Sequence, residues 1–370
     1  MKRFIYIFIL FVFLSCDKEG RLVRGDGQIG FSVMTPDMVT TKAEVTADDL
    51  KTADLRVFVY GAQSDGSNSV VIVDTPGAQL DYNKDYNVWY PLVSNDNDYQ
   101  MTHLEWGDSR YYYRFYGFAF SSNADLANNL EIVNSTYGRQ FTITQPSAGN
   151  GEETIDYLLS SLVSVPPGAN RPLVPIELEH AMARVDVDVQ IAQSMFDEEG
   201  CRASNISLSV SGIRTKATML CLQPKAYGEP GTNTWYVTFP ENQDYATYIT
   251  DPAVDNTEAN LEGADNGIDP DMTFMAIPVT NEEMTSVVSG SVVPYTLTLS
   301  YKGRSGTDYS YSFDLQNFSP NGWVSGHKVK YVLTIDNSIN LRGTIVDFED
   351  VEYLEAVIVP DINQDVGDEY

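Results

Sequence analysis

The stretch VDVDVQI, residues 185–191, sets valine or isoleucine at every second position and a polar residue between them. Period two suits a strand with one buried and one wet face, and it suits no helix. The same alternation returns in ISLSV (206–210), YTLTLSY (295–301), YSYSFDL (309–315) and VKYVLTI (329–335). RVFVY (56–60) and YYYRFYGFAF (111–120) are runs of strong strand formers. Clusters of Gly, Pro, Asn and Asp separate these runs at 64–68, 94–98, 145–151, 165–172 and 251–271. Helical patterns are short, and 46–53 and 281–288 are the best of them. A chain of 370 residues is long enough for two domains of common size. The expectation is an all-β protein with few short helices. It should form two sandwiches, over 43–173 and 174–350, meeting at the Pro-rich stretch 165–175.

The amino end carries a different signal. Lys2 and Arg3 precede eleven uncharged apolar or aromatic residues, Phe4–Leu14. That run fits a signal-peptide core and falls short of the ~20 residues a spanning helix needs. Ser15 is small and stands directly before Cys16. The arrangement resembles the lipobox of bacterial lipoproteins, although Phe13 stands where leucine is usual. The resemblance implies cleavage between Ser15 and Cys16, acylation of the Cys16 thiol by a chain such as palmitate, and acylation of the new amino end. Several chains on one residue make a stable anchor, where one chain binds only marginally. DKEG (17–20) resembles a signal that sends lipoproteins to the outer face of the outer membrane. The other reading of this segment is an ordinary secretory signal with an incidental cysteine.

Formal charge narrows the partners. The chain carries 52 acidic and 23 basic side chains, a balance of −29. Removing residues 1–15 takes away Lys2 and Arg3, so 52 acids face 21 bases, a balance of −31. A polyanion is a poor partner for nucleic acid or anionic lipid. Cys201 and Cys221 can pair in an oxidising compartment or stay free, and no CxxC or Cys/His cluster points to a metal. No cofactor motif is present, and no Gly-rich phosphate loop opens a helix. His180 is a lone histidine beside an apolar strand, which reads as structural. His103 and His327 have no nucleophile or ligand pattern around them. The acidic stretches 81–98 and 251–271 lack the spacing of a calcium loop and read as solvated. RGD at 24–26 reads as a chance tripeptide. Aromatics at 86–92 and 111–116 can stack on a sugar or fill a core, and the tyrosine alternation suits a core. No pair of carboxylates stands out for hydrolysis, so an enzyme is not expected.

The order of motifs resembles the FimA-type fimbrillin family, the subunits of type V pili of Gram-negative bacteria. The motifs are the lipobox, the short strand GQIGFSV (27–33), TTKAEV (40–45), RVFVY, and HLEWGDSRYYYRFYGFAF (103–120). IDYLLSS (155–161), VPIELEHAMARVDVDVQI (174–191), MTFMAIPVT (272–280) and GWVSGHKVKYVLTI (322–335) follow. The resemblance implies two transthyretin-like sandwich domains with Greek-key-type connections. It also implies export as a lipoprotein to the outer-membrane surface, proteolytic loss of an N-terminal strand, and polymerisation with other fimbrial subunits by strand exchange. On this reading the removable strand carries Ile29, Phe31 and Val33 inward, and the cut falls between Lys42 and Ala43. Arg21 and Arg24 precede the strand and would not release it. The tail segment 351–359, with Val351, Tyr353, Val357 and Val359, is either the donated strand or the last strand of the second sandwich. In the latter case the chain is an end subunit. Stalk, tip and anchor roles stay open, as does the host or bacterial surface receptor. The rival expectation is a monomeric outer-membrane glycan-binding lipoprotein that keeps its lipid.

Overall fold

A computed structural model describes residues 29–34, 56–64, 69–83, 88–95, 98–100, 106, 110–120, 130–135, 138–167, 173–197, 200–222, 235–241, 243–250, 271–288, 290–335, 340–347 and 356–358. The fold is all-β. In chain order the strands are β1 (Phe31–Met34), β2 (Arg56–Ser64), β3 (Ser69–Asn83), β4 (Val88–Asn95), β5 (Asp98–Gln100), β6 (Tyr112–Phe120), β7 (Leu130–Ser135), β8 (Gly138–Thr144) and β9 (Ala148–Gly149). Next come β10 (Tyr157–Ser160), β11 (Val163–Val165), β12 (Val174–His180), β13 (Ala183–Ile191), β14 (Phe196–Asp197), β15 (Gly200–Cys201), β16 (Ala203–Arg214), β17 (Lys216–Leu222) and β18 (Trp235–Thr238). The last are β19 (Tyr245–Thr250), β20 (Met272–Ala276), β21 (Thr285–Val288), β22 (Ser291–Pro294), β23 (Thr296–Gly303), β24 (Asp308–Asp314), β25 (His327–Ile335), β26 (Asn340–Asp347) and β27 (Ala356–Ile358).

Four larger sheets result. The first runs β1-β12-β10-β6-β2-β3-β4-β5, with β11 also on β6. The second runs β20-β13-β25-β26-β27, the third β24-β23-β16-β19-β9 and the fourth β18-β17-β8-β7. The alternating strands bury their apolar face, although Arg184 and Asp186 on the other face of β13 are buried too. Val185, Val187, Val189 and Ile191 of β13 meet Leu208 and Val210 of β16 and Leu297 and Leu299 of β23 in one core between the second and third sheets. A second core lies within the first sheet and holds Ile29, Phe31, Leu80, Trp89, Phe115, Leu158, Val174 and Ile176.

A third core joins these two regions. Phe118 and Phe120 of β6, Tyr157 and Leu159 of β10, Phe141 and Ile143 of β8, and Ala217 and Met219 of β17 pack there with Ala181, Met182, Met275 and Ile277. The strand β6 therefore buries both faces, with Phe115 and Ala119 toward one core and Phe118 and Phe120 toward the other. That is why its sequence is aromatic throughout and not alternating. Gly117 breaks the aromatic run because Ile176 crosses it. A Cβ at 117 would lie 2.2 Å from the Ile176 Cγ2. Its amide donates to the Ser160 Oγ at 2.7 Å, filling the gap between the pairings with β10 and β11.

The fourth sheet draws β7 and β8 from before residue 173 and β17 and β18 from after it. β12 lies in the first sheet. The chain thus passes from the first sheet to the second at Ala181–Met182, after the Pro-rich stretch 165–175. The helical pattern at 281–288 is corrected. Only Asn281–Glu283 forms a 3-10 turn, closed by a capping box between Thr280 and Glu283, and Thr285–Val288 is strand. Val287 and Val292 face each other across the β21–β22 hairpin, and β-branched residues prefer that partnership to a helix. The other helical pattern, 46–53, lies outside the described residues.

Candidate functional site

The short strand β1 and its seat bring together three of the expected site residues, Ile29, Phe31 and Val33. β1 runs parallel to β12 along its whole length, with Phe31 opposite Val174 and Met34 opposite Glu177. Its other edge carries one antiparallel bridge, from Phe31 to Trp89 of β4. The Val174 amide donates to the Gly30 carbonyl at 2.9 Å, which extends the ladder one residue upstream. Ile29 and Phe31 are both 0% exposed, and Val33 packs half-buried against the same core. The Phe31 ring meets Phe115 edge-on, with centroids 5.4 Å apart at 84°. Trp106 closes the far side of that aromatic group, edge-on to Tyr113 at 4.8 Å and to Phe115 at 6.2 Å.

The expected removable residues Ile29, Phe31 and Val33 thus come together in one apolar slot. The structure adds three residues to the slot that alternation alone does not mark: Gly30, Val88 and Leu173. A Cβ at Gly30 would lie 2.9 Å from the Leu173 Cδ2 and 2.9 Å from the Val88 Cγ1. A glycine between two large apolar residues is the one signal in the sequence that could have drawn attention to this approach.

Other expected site residues fall elsewhere. Ser15, Cys16, Lys42 and Ala43 lie outside the described residues, as do Val351, Tyr353 and Val359 of the tail. Val357 sits in β27, opposite Arg342 on β26 in the chain's own second sheet. The Cys201 thiol is free and half-buried on β15, while Cys221 lies on β17 opposite Arg139 and Trp235. Trp89, Tyr113 and Tyr116 are buried, so much of the aromatic content of 86–92 and 111–116 is core. Of the acidic stretch 81–98, residues 81–83, 88–95 and 98 are strand.

Two buried polar clusters stand apart from the slot. The His180 Nδ1 lies 2.7 Å from the Asp156 Oδ2, and both side chains are fully buried. His180 is thereby a structural partner, and Asp156 is the member the sequence did not nominate. On the face of β13 expected to be wet, Asp186 is only 1% exposed. It accepts from the Arg184 Nε at 2.7 Å and the Thr273 Oγ1 at 3.0 Å, and pairs with the Lys328 Nζ at 2.8 Å. Burial costs a carboxylate little when each oxygen has such a partner. Next to it, burial raises the carboxyl of Asp188 above its usual range, against the pull of Lys330. The Asp271 carboxylate accepts the Val189 amide at 2.6 Å just beyond the β13–β20 ladder, and burial pushes its pKa up to about 6. These groups brace strands. None is arranged around a shared position where a substrate atom could sit, and no metal-ligand cluster occurs among the described residues.

No family profile matches the chain, and no curated protein matches it. Among solved structures it is similar to a fimbrial protein from Bacteroides vulgatus, at 15% identity and a TM-score of 0.44, over 87% of this chain and 100% of that one. It is also similar to two candidate cell adhesion proteins. The one from Bacteroides ovatus has 12% identity and a TM-score of 0.48, over 89% of this chain and 100% of that one. The one from Bacteroides uniformis has 14% identity and a TM-score of 0.41, over 88% and 99%.

Proposed function

We propose that the chain is a structural subunit of an adhesive surface fimbria, exported as a precursor acylated at Cys16 and assembled by exchange of its N-terminal strand. The observation that carries this reading is the seat of β1. A short segment, residues 29–34, fills a core with two fully buried side chains, yet among the described residues its strand is held by one full ladder and a single bridge. Without β1, the edge of β12 and an apolar slot would lie open, and an open strand edge is a template for another strand. A cut after Lys42 falls between Met34, the end of β1, and Arg56, the start of β2, so it would free the strand without severing any described strand. The acylated piece would stay with the membrane and the trimmed subunit would join the polymer.

The test is limited trypsin treatment of the purified full chain, followed by a labelled peptide of residues 27–35. The expected result is loss of a small N-terminal piece and capture of the peptide by the trimmed chain alone. A chain that stays intact, or that is cut without ever capturing the peptide, overturns the proposal. A resistant monomer that shifts in a polysaccharide gel would instead favour a glycan-binding lipoprotein.

A further inference from the structure

We infer that the seat of β1 selects a strand with a glycine between two large apolar residues, that the tail of this chain does not meet that rule, and that the replacing strand comes from a different protein. The inference rests on the exchange reading above and deepens it by naming the class of partner.

The selection follows from the crowding over Gly30. Side chains at 29, 31 and 33 point into the core, so a side chain at 30 would point the other way. There it would meet Leu173 and Val88 at 2.9 Å each, with the Tyr90 Cε1 at 3.8 Å. Val88 is 1% exposed and β-branched, so it turns aside poorly. The backbone cannot retreat either, because the Gly30 carbonyl accepts from the Val174 amide at 2.9 Å. Alanine is the largest residue this position could hold with small adjustments.

The rule can be applied to the whole chain. Of 26 glycines, only Gly30 and Gly117 have a large apolar residue at the positions one before, one after and three after. Gly117 lies in β6, which is paired on both edges with β2 and β10. The tail offers two small residues. Placing Ala356 over position 30 sends Glu355 into the slot of Ile29. Placing Gly367 there sends Asp368 into the slot of Phe31. Either register buries a carboxylate in a wholly apolar cluster, which is strongly unfavourable. The segment 351–359 is therefore no donor for a second copy of this seat. The partner is a subunit of another kind, whose donated strand reads apolar–Gly–apolar–x–apolar.

The experiment uses the trimmed full chain and three labelled peptides: residues 27–35, the same peptide with Gly30→Val, and residues 351–359. The first should bind, the second about 100-fold more weakly, and the third without saturation. The trimmed chain alone should stay monomeric on an unheated gel. Equal binding of the first two peptides, saturable binding of the tail peptide, or ladders formed by the trimmed chain alone would each overturn the inference while leaving strand exchange standing. Failure of the 27–35 peptide to bind overturns exchange itself, and this inference with it. A second measurement is independent of cutting: in the intact chain, Gly30→Val should speed amide exchange over 173–177, and unchanged protection there would refute the crowding argument.

Discussion

Phe31→Ala removes the largest side chain that β1 gives to the first sheet's core. The residue is fully buried and edge-on to Phe115. Truncating a buried phenylalanine costs about 3–5 kcal/mol, of which the ring pair contributes ~1 kcal/mol. Holding the six residues 29–34 in one conformation costs on the order of 6–12 kcal/mol of backbone entropy, so the loss removes a large part of the burial that offsets that cost. Among the described residues, no strand adjacent to β1 in sequence lies beside it in the sheet, and the second edge of β1 has one bridge. It should therefore detach before anything else opens. The assay is amide hydrogen exchange of the intact chain read by mass spectrometry. A loss of ~3–5 kcal/mol corresponds to roughly 150- to 5,000-fold faster exchange. The increase should appear in residues 29–34 and 173–177 and leave β13 and β25 protected. Two results would refute the reasoning. Unchanged protection at 173–177 would mean that Phe31 does not hold the strand. Equal loss of protection in β13 and β25 would mean that β1 leaves only when the whole molecule unfolds.

Three further outcomes are expected. Because the Asp271 carboxyl has its pKa raised to about 6 by burial, it binds its proton more tightly in the folded state. Stability should therefore fall as pH rises from about 4 to 6 and level off above. Asp271→Asn should remove that penalty and raise stability at pH 7 by ~1–2 kcal/mol after allowance for solvent screening, measured as a urea midpoint at pH 5 and pH 7. Tyr331→Phe removes the hydroxyl that accepts the Trp323 Nε1 at 2.9 Å and bonds the Ser319 hydroxyl. It should cost ~1–3 kcal/mol in thermal unfolding without altering peptide capture at the β1 seat. Asp156→Ala leaves buried His180 without its carboxylate and should cost ~3–5 kcal/mol in the same assay.

The sequence disclosed those features whose cause is local. β13, β16, β23, β24 and β25 alternate because each has one face on a core, and a period of two needs no knowledge of the partner strand. Features with distant causes stayed hidden. Asp186 looks solvated in VDVDVQI, but Thr273 and Lys328, which satisfy it, arrive from strands 87 and 142 residues further on. That the helix at 281–283 stops after one turn follows from the pairing of Val287 with Val292 across a hairpin, which the residues of the turn do not reveal. The slot of β1 was half legible. Ile29, Phe31 and Val33 could be placed on one face by alternation. The parallel pairing with Val174–Glu177, and the approach of Val88 to Gly30, depend on segments from two different parts of the chain.

The passage from β12 to β13 explains why loss of β1 should remain local. Between His180 and Ala183 the chain spends only Ala181 and Met182, both fully buried in the third core. Three backbone groups there are fastened. The Ala181 amide donates to the Tyr157 carbonyl at 2.7 Å, the Met182 carbonyl accepts from the Gly326 amide at 2.9 Å, and the Ser325 Oγ donates to the His180 carbonyl at 2.9 Å. The Asp156–His180 pair lies on one side of the passage and the Arg184–Asp186 pair on the other. Two adjacent residues so bound cannot act as a hinge, because bending there would strand buried polar groups at several kcal/mol in all. β12 can thus lose its neighbour on one edge while its other edge stays paired with β10 and its end stays fixed to the second sheet. No residue of β1 belongs to the core between the second and third sheets. If β1 leaves, as the exchange proposal requires, the empty seat on β12 would be presented by a rigid frame, and a rigid frame would let the slot discriminate between glycine and valine in an incoming strand.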